Sequence, residues 1–160
     1  MPEALGFESH DHKTCISAGM REAEARCAER GLQFTPIRRR VLEILLTRHK
    51  AMGAYEILDV LREDGHAAQP PAAYRALDFL TAHGFAHRIE RRNAFLACVH
   101  PGERHAPAFL ICRSCDRVAE AAAAPIAVKV EETAAEIGFA VERMVMEVEG
   151  LCPRCREDAE

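Results

Sequence analysis

Four of the chain's seven cysteines fall into two pairs, Cys112-x-x-Cys115 and Cys152-x-x-Cys155. A CxxC turn presents two sulfurs to one ion, and two such turns complete the tetrahedron that zinc prefers. Thirty-six residues separate the pairs, more than in a local zinc ribbon, so a folded domain has to bring the turns together. A site of this kind staples the strand end at Cys112 to the segment around Cys152 and contributes to folding. The alternatives are a redox dithiol and disulfides. A thioredoxin-like dithiol needs its CxxC at the start of a helix that follows a strand, and neither motif is expected in that setting. A zinc deaminase needs PCxxC and an upstream HxE glutamate. Here the motifs read ICRSC and LCPRC, and no HxE occurs. Structural zinc on Cys112, Cys115, Cys152 and Cys155 is the expectation.

A second set of ligand types lies in FAHRIERRNAFLAC, residues 85–98. His87 and Cys98 suit a soft metal, while Arg88, Arg91 and Arg92 suit a phosphate backbone. Ala86–Glu90 and Ala94–Cys98 alternate loosely around Arg91-Arg92-Asn93, the pattern of a β-hairpin. If the turn is the two-residue pair Arg92-Asn93, His87 and Cys98 lie directly opposite, with Cβ atoms roughly 4.5–5.5 Å apart. A three-residue loop would shift that pairing. Asn at the second turn position tolerates positive φ, whereas Arg at the first is not favoured. His100, His105 and Glu120 are further donors, and a mixed N, S and O set drawn from them would close a hinge when filled. Spacing alone leaves open a surface histidine, a half-buried cysteine and a solvated glutamate.

The elements that must position these groups can be read coarsely. Residues 1–15, with His10, His12 and Cys15, lack periodicity and read as a flexible tail. A helical stretch runs from Glu22 to Arg30 and stops at Gly31. Cys27 within it reads as a buried small hydrophobe. Thr35-Pro36 is a helix start, with Thr as N-cap and Pro at the first helical position. Ile37, Val41, Ile44 and Leu45 then recur at helical spacing, with arginines on the other side. Tyr55–Asp64 is a short amphipathic helix with Ile57, Leu58 and Leu61 inward. Gln69-Pro70-Pro71 launches another, in which Ala73, Ala76, Leu77 and Leu80 form the buried stripe and Gly84 marks the end. Tyr74, Arg75 and Asp78 face outward. Three or more short helices followed by a hairpin is the order of a winged helix, whose third helix normally enters the major groove.

Val99–Pro107 is polar and turn-rich, a hinge. Ala108–Cys112 and Val118–Glu120 read as short strands around the first CxxC turn. Pro125–Gly138 is a helix with Ile126, Val130, Ala134 and Ile137 on one face. Phe139–Val148 alternates as a strand that ends at the second CxxC. This β-β-α-β unit buries little alone, and dimerisation through its sheet and helix would cover it. The expected class is α+β: a flexible tail (1–15), a winged-helix DNA-binding domain (16–98), a hinge (99–107) and a small α/β dimerisation domain with structural zinc (108–160).

Composition sets outer bounds. Of 160 residues, 49% are hydrophobic, which supports a packed core. No run approaches the roughly 18 apolar residues of a membrane helix. The opening MPEALGFESHDHK has neither the basic start nor the apolar core of a secretion signal. A cytoplasmic protein with no membrane partner is expected, and in a reducing compartment paired cysteines argue for metal. The net charge of −4 hides an asymmetry. Residues 118–160 carry ten Asp/Glu against four Lys/Arg, a balance of −6, which leaves +2 for residues 1–117. Basic clusters at Arg38-Arg39-Arg40 and at Arg88, Arg91 and Arg92 beside an acidic second part suggest two domains with different partners.

Taken in order, these motifs resemble the ferric uptake regulator family, and within it the branch that senses zinc. The resemblance covers roughly residues 20–158. It rests on Phe34-Thr35-Pro36 with Arg38, on Pro70-Pro71-x-x-Tyr74-Arg75-Ala76-Leu77-Asp78-Phe79-Leu80, and on Gly84-Phe85-x-His87. Further along it rests on Cys112-x-x-Cys115 followed by Glu120, on Gly138-Phe139, and on Leu151-Cys152-x-x-Cys155. It implies a homodimer that binds palindromic operator DNA when metallated. It also implies regulatory zinc on His87, Cys98, His105 and Glu120, structural zinc on the four paired cysteines, and DNA contacts from Tyr74 and Arg75. The sequence departs from the family in two places. Ala72-Ala73 replaces the usual Thr-Val before Tyr74, which removes a hydroxyl worth about 1 kcal/mol as a cap. The His-rich stretch of the iron branch is replaced by His105-Ala106-Pro107-Ala108, which with the soft ligand Cys98 favours zinc over iron.

The function expected from all this is a zinc-responsive repressor of zinc uptake genes that is not an enzyme, takes no small-molecule substrate and binds two zinc ions per chain. Arg75 is expected at a base edge, and Arg39, Arg88, Arg91 and Arg92 at phosphates. One competing reading is a family member that senses iron, manganese or peroxide. Another, from a different class, is a zinc hydrolase or deaminase, which would need an open position on the metal.

Overall fold

The computed structural model describes residues 7, 12–48, 50–98, 101 and 106–158. The chain divides into two compact units, residues 9–102 and, in the main, residues 103–160.

The first unit is built from helices α1 (His12–Glu29), α2 (Pro36–Thr47), α3 (Ala54–Glu63) and α4 (Pro70–Ala82), with strands β1 (Met52–Gly53), β2 (Ala86–Ile89) and β3 (Ala94–Ala97). The start of α2 follows its sequence signal. Thr35 Oγ1 accepts from the Arg38 amide at 3.4 Å, and Pro36 occupies the first turn, where no intrahelical N–H is needed. The Glu56 carboxylate accepts from the Gly53 amide at 2.9 Å and so caps α3. Two prolines begin α4, its N-cap Gln69 makes no side-chain cap bond, and Ala72 in the first turn has no hydroxyl to offer. The stripe Ala73, Ala76, Leu77 and Leu80 is buried. It joins Val41, Leu45, Ile57, Leu58, Leu61, Met52 and Phe85 in one apolar cluster. Gly84, at φ +77°, turns the chain from α4 into the hairpin, with the Phe85 amide reaching back to Leu80 O at 2.8 Å. A three-stranded sheet ordered β1-β3-β2 completes the unit.

Helix α1 begins ten residues before the expected Glu22, so residues 12–15, expected in the tail, are helical. Its first turns carry no apolar stripe and a glycine, which hide it from a periodicity reading. Local bonds hold those turns, including Ser17 Oγ to Lys13 O at 2.9 Å. Gly19 itself is where α1 approaches α2, since an added Cβ would sit 2.9 Å from Leu46. Strand β1 was not expected. Two residues are too few to show an alternation, and pairing with β3 defines them.

The second unit contains β4 (Pro107–Cys112), β5 (Val118–Ala122), α5 (Ala124–Glu136), β6 (Met146–Gly150) and α6 (Pro153–Glu157). Its sheet is ordered β5-β4-β6, with β4 antiparallel to β5 and parallel to β6. The last strand is shorter and later than the expected Phe139–Val148. The alternation in 139–145 is real, but those residues make no strand. Phe109, Ile111 and Val118 are buried, whereas Ile126 and Val130 on α5, its C-cap Ile137 and Phe139 beyond it remain exposed. No helix among the described residues is long and apolar enough to cross a membrane.

Candidate metal and nucleic-acid sites

Parallel pairing of β4 with β6 sets Cys112 beside Gly150, so both CxxC turns emerge at the same end of the sheet. The first turn closes through the Cys112 amide on Arg117 O at 2.9 Å, with Asp116 at φ +61°. Beyond β6, Cys152 is the N-cap of α6. Its amide points at Cys112 Sγ, 3.3 Å away, and its own sulfur lies 3.7 Å from Cys115 Sγ. All four sulfurs lie within 4.8 Å of one another, and all four cysteines are free thiols. A tetrahedron with Zn–S near 2.3 Å has S···S edges of about 3.8 Å. The group therefore fits zinc without rearrangement of the sheet.

One expectation about these motifs fails. Cys152 does sit at the start of a helix that follows a strand, so helix placement does not exclude a dithiol role for the second pair. What separates the two readings is the gathering of four sulfurs, since a redox pair needs only two.

The thiols are unequal. Burial works against the Cys112 thiolate, but the backbone amides of Cys152, Cys115 and Ser114 and the Cys115 thiol are directed at it and bring it down to about 6. Cys155 moves the other way. A hydrogen bond from Ser114 favours its thiolate, but Cys152, burial, Cys115 and Cys112 together push it up to about 11. One sulfur is thus prepared as an anion, and a dication would supply what Cys155 needs to lose its proton.

In the hairpin the register differs from expectation. His87 pairs with Leu96, and the Cys98 amide donates to Phe85 O at 2.9 Å. The strands are joined by four residues, a 3-10 turn over Glu90–Arg92 followed by Asn93 in the left-handed region at φ 46°. Arg at the first position of a two-residue turn would have needed positive φ, and the longer loop avoids this. His87 and Cys98 are therefore diagonal rather than opposite. The pairing shifts by one whole pleat, so both side chains keep the same face and diagonal neighbours remain within reach. A His87 ring nitrogen and Cys98 Sγ lie within 4.8 Å of each other. Cys98 is buried, as is His87 Nε2.

Glu120 lies on β5 opposite Phe109. At 5% exposure it is the single buried charged residue among those described. A solvated glutamate is thereby excluded. His100 and His105, with His10, lie outside the described residues.

On α4, Tyr74 and Arg75 are exposed, as expected of the outward face. Of the arginines, Arg91 and Arg92 sit in the hairpin turn. Arg39 is ion-paired with Glu24 on α1 and lies over the Phe34 ring at 4.9 Å, so a phosphate would have to compete for it. Arg40 is committed elsewhere, to Asp64 at 2.7 Å and Glu43 at 2.8 Å. The sequence reading missed Asn93 as more than a turn residue. Its Oδ1 accepts from Arg88 Nη2 at 2.7 Å, and the one signal in the sequence was an asparagine in a tight turn beside arginines.

Comparison with known proteins agrees with this geometry. The chain is 38% identical over 146 residues to the zinc uptake regulation protein of Escherichia coli, covering 91% of this chain and 85% of that one. The protein of the same name from Shigella flexneri matches equally. A zinc uptake regulator solved in complex with zinc and DNA superposes with a TM-score of 0.86 at 37% identity, covering 90% of this chain and 97% of that one. Holo XcZur gives 0.81 at 42% identity, covering 88% and 98%, and apo XcZur gives 0.53 at 40% identity, covering 89% and 99%. The model of the ferric uptake regulator family matches residues 29–149. A match of that extent, beside a relative 38% identical over nine-tenths of the chain, means that the chain belongs to the ferric uptake regulator family.

Proposed function

We propose that the chain is a zinc-responsive transcriptional repressor that acts in the cytoplasm by binding operator DNA, and that zinc uptake genes are its targets. Residues 16–98 serve as the DNA-binding domain, 99–107 as a hinge and 108–160 as the dimerisation domain. The observation that carries this reading is the hairpin itself. His87 and Cys98 meet at its base, and Arg88, Arg91 and Arg92 cluster at its tip. Metal chemistry and DNA chemistry thus share one element.

Two zinc ions per chain follow from the two ligand groups. The four paired cysteines hold a structural ion that stays in place. His87 and Cys98, with His105 and Glu120, hold the regulatory one, and burial of Glu120 and Cys98 suits a cation. Four protein ligands leave no open position for a hydrolytic water, so the chain acts by binding and not by turnover. Zinc then favours the DNA-competent state by differential affinity. The two overlays with XcZur, 0.81 for the holo form and 0.53 for the apo form, support a metal-linked change of form in a relative.

As a homodimer the chain presents two α4 helices to successive major grooves. Arg75 reads a base edge, most simply guanine. Tyr74 touches a thymine methyl or a phosphate, and Arg39, Arg88, Arg91 and Arg92 neutralise phosphates. Exposure of Ile126, Val130, Ile137 and Phe139 supports the dimer, because a second copy would cover them.

The test is capture of duplex fragments from a genomic pool in zinc, in iron(II) and in chelator. Capture in zinc alone supports the reading, and equal capture in chelator sinks it. Preference for iron(II) would favour an iron sensor of the same family. His87→Ala should bind DNA no better in zinc than in chelator while retaining the structural ion.

A further inference from the structure

The Asn93 side chain does something that a turn does not require. A left-handed residue at the end of a 3-10 turn can be glycine at no steric cost, and asparagine is the usual second choice. Here Asn93 also accepts a hydrogen bond from Arg88 Nη2 at 2.7 Å. On its other side, Arg88 Nε lies 3.7 Å from Glu90 Oε2. The guanidinium is clasped by two residues of its own turn, through Nη2 and Nε. Nη1 takes part in neither of these contacts. Arg88 nevertheless remains exposed. An arginine held in this way is a fork fixed at its base with one tine offered outward, which suits a phosphate oxygen.

We infer that Asn93 is a positioning residue for DNA binding, holding Arg88 ready for one phosphate of the operator backbone. This rests on the reading of the hairpin as a DNA-touching wing. The argument is entropic. A free arginine loses much rotamer freedom when it docks on a phosphate, and a clasped one has already lost it. Glu90 has a second effect. Its carboxylate would repel the backbone, and pairing with Arg88 screens it.

The test uses the zinc-loaded full-length protein and its captured operator, with affinity measured across a salt series. Asn93→Gly keeps the left-handed turn and releases Arg88. It should leave the melting temperature unchanged and weaken operator binding about threefold to tenfold, the scale of ordering one long side chain. The salt slope should stay as in the parent, because no charge has been removed. Arg88→Ala should weaken binding and also flatten the slope by about 0.9, the value for one phosphate contact. In the Arg88→Ala background, Asn93→Gly should have no further effect, which a purely structural role for Asn93 would not produce. If Arg88→Ala weakens binding and Asn93→Gly does not, the positioning role is overturned and the wing reading survives. If neither changes binding, both are overturned. Additive losses in the double variant would also overturn the positioning role.

Discussion

Among the described residues between Ala23 and Ala97 only Tyr55 and Tyr74 of the large apolar side chains are exposed, whereas between Ile126 and Val148 seven are. The first unit assembles its buried cluster from four helices and the hairpin, so its stability is carried internally. The second buries Phe109, Ile111 and Val118 against a small sheet and then runs out of partners. What it has instead is four sulfurs gathered at one end. On the proposed reading its stability depends on a metal at the sheet end and a second copy over α5, and so varies with their concentrations. A sensor of the proposed kind gains from this arrangement, since the unit proposed to read DNA is sturdy and the one proposed to join two copies is conditional.

The largest test of that contrast is Cys112→Ser. In zinc-finger peptides a structural site contributes on the order of 10 kcal/mol. The variant should lose amide-exchange protection across residues 107–150 and keep it in α2 and α4. Equal loss in both units would break the comparison. Next in size is Leu77→Ala, which empties the centre of the helical cluster and should destabilise that unit by about 2–5 kcal/mol. Zinc retained on the cysteines of that variant, measured by a thiol-competitive dye, would sharpen the contrast. Phe139→Glu places a charge on the exposed apolar surface. It should weaken self-association at least about tenfold in sedimentation while barely moving either unit's melting. A variant that stays dimeric would show that something else covers that surface.

The smallest expected effect lies in the first unit. Arg40 donates to Asp64 and holds its carboxyl below the usual carboxylate range. A depressed folded-state pKa adds stability above the unfolded value, which is lost as pH falls through the folded value. Asp64→Asn should remove that part of the acid sensitivity, read as a flatter urea midpoint from neutral pH down to about pH 3. The second unit's response to pH should be unaffected.

Helices with a strong stripe and a cap were legible in the sequence. Thr35-Pro36 and the row Ala73, Ala76, Leu77 and Leu80 were read correctly because burial and capping act within one or two turns. The four-cysteine cluster was legible because CxxC geometry is local and its chemistry demands company. Three features were not. The early turns of α1 are held by backbone and polar side-chain bonds, which leave no periodic trace. The hairpin register depended on the turn, and Glu90-Arg91-Arg92-Asn93 can be divided in more than one way. His87 and Cys98 are not cross-strand partners, but they still share a face because the register moved by one whole pleat. Residues 139–145 alternate like a strand, but pairing with β4 begins only at Met146. Strand bounds are set by the partner, which periodicity does not see.

The parallel register of β4 and β6 has a consequence in time. Cys112 leaves the ribosome forty residues ahead of Cys152. Until β6 arrives, the first CxxC is half a site, with two sulfurs and an unpaired strand edge. The helical unit is complete by residue 97 and can fold while synthesis continues. On the proposed reading the second would mature in one late step, when strand, last thiols and metal come together. In zinc-starved cells, newly made chains would therefore accumulate with the DNA-reading unit finished and the other not. Pulse-labelled chains should gain protease resistance in that order, with the second gain delayed by chelator. Supply of the metal would then be recorded in how many finished molecules exist, before any of them meets DNA.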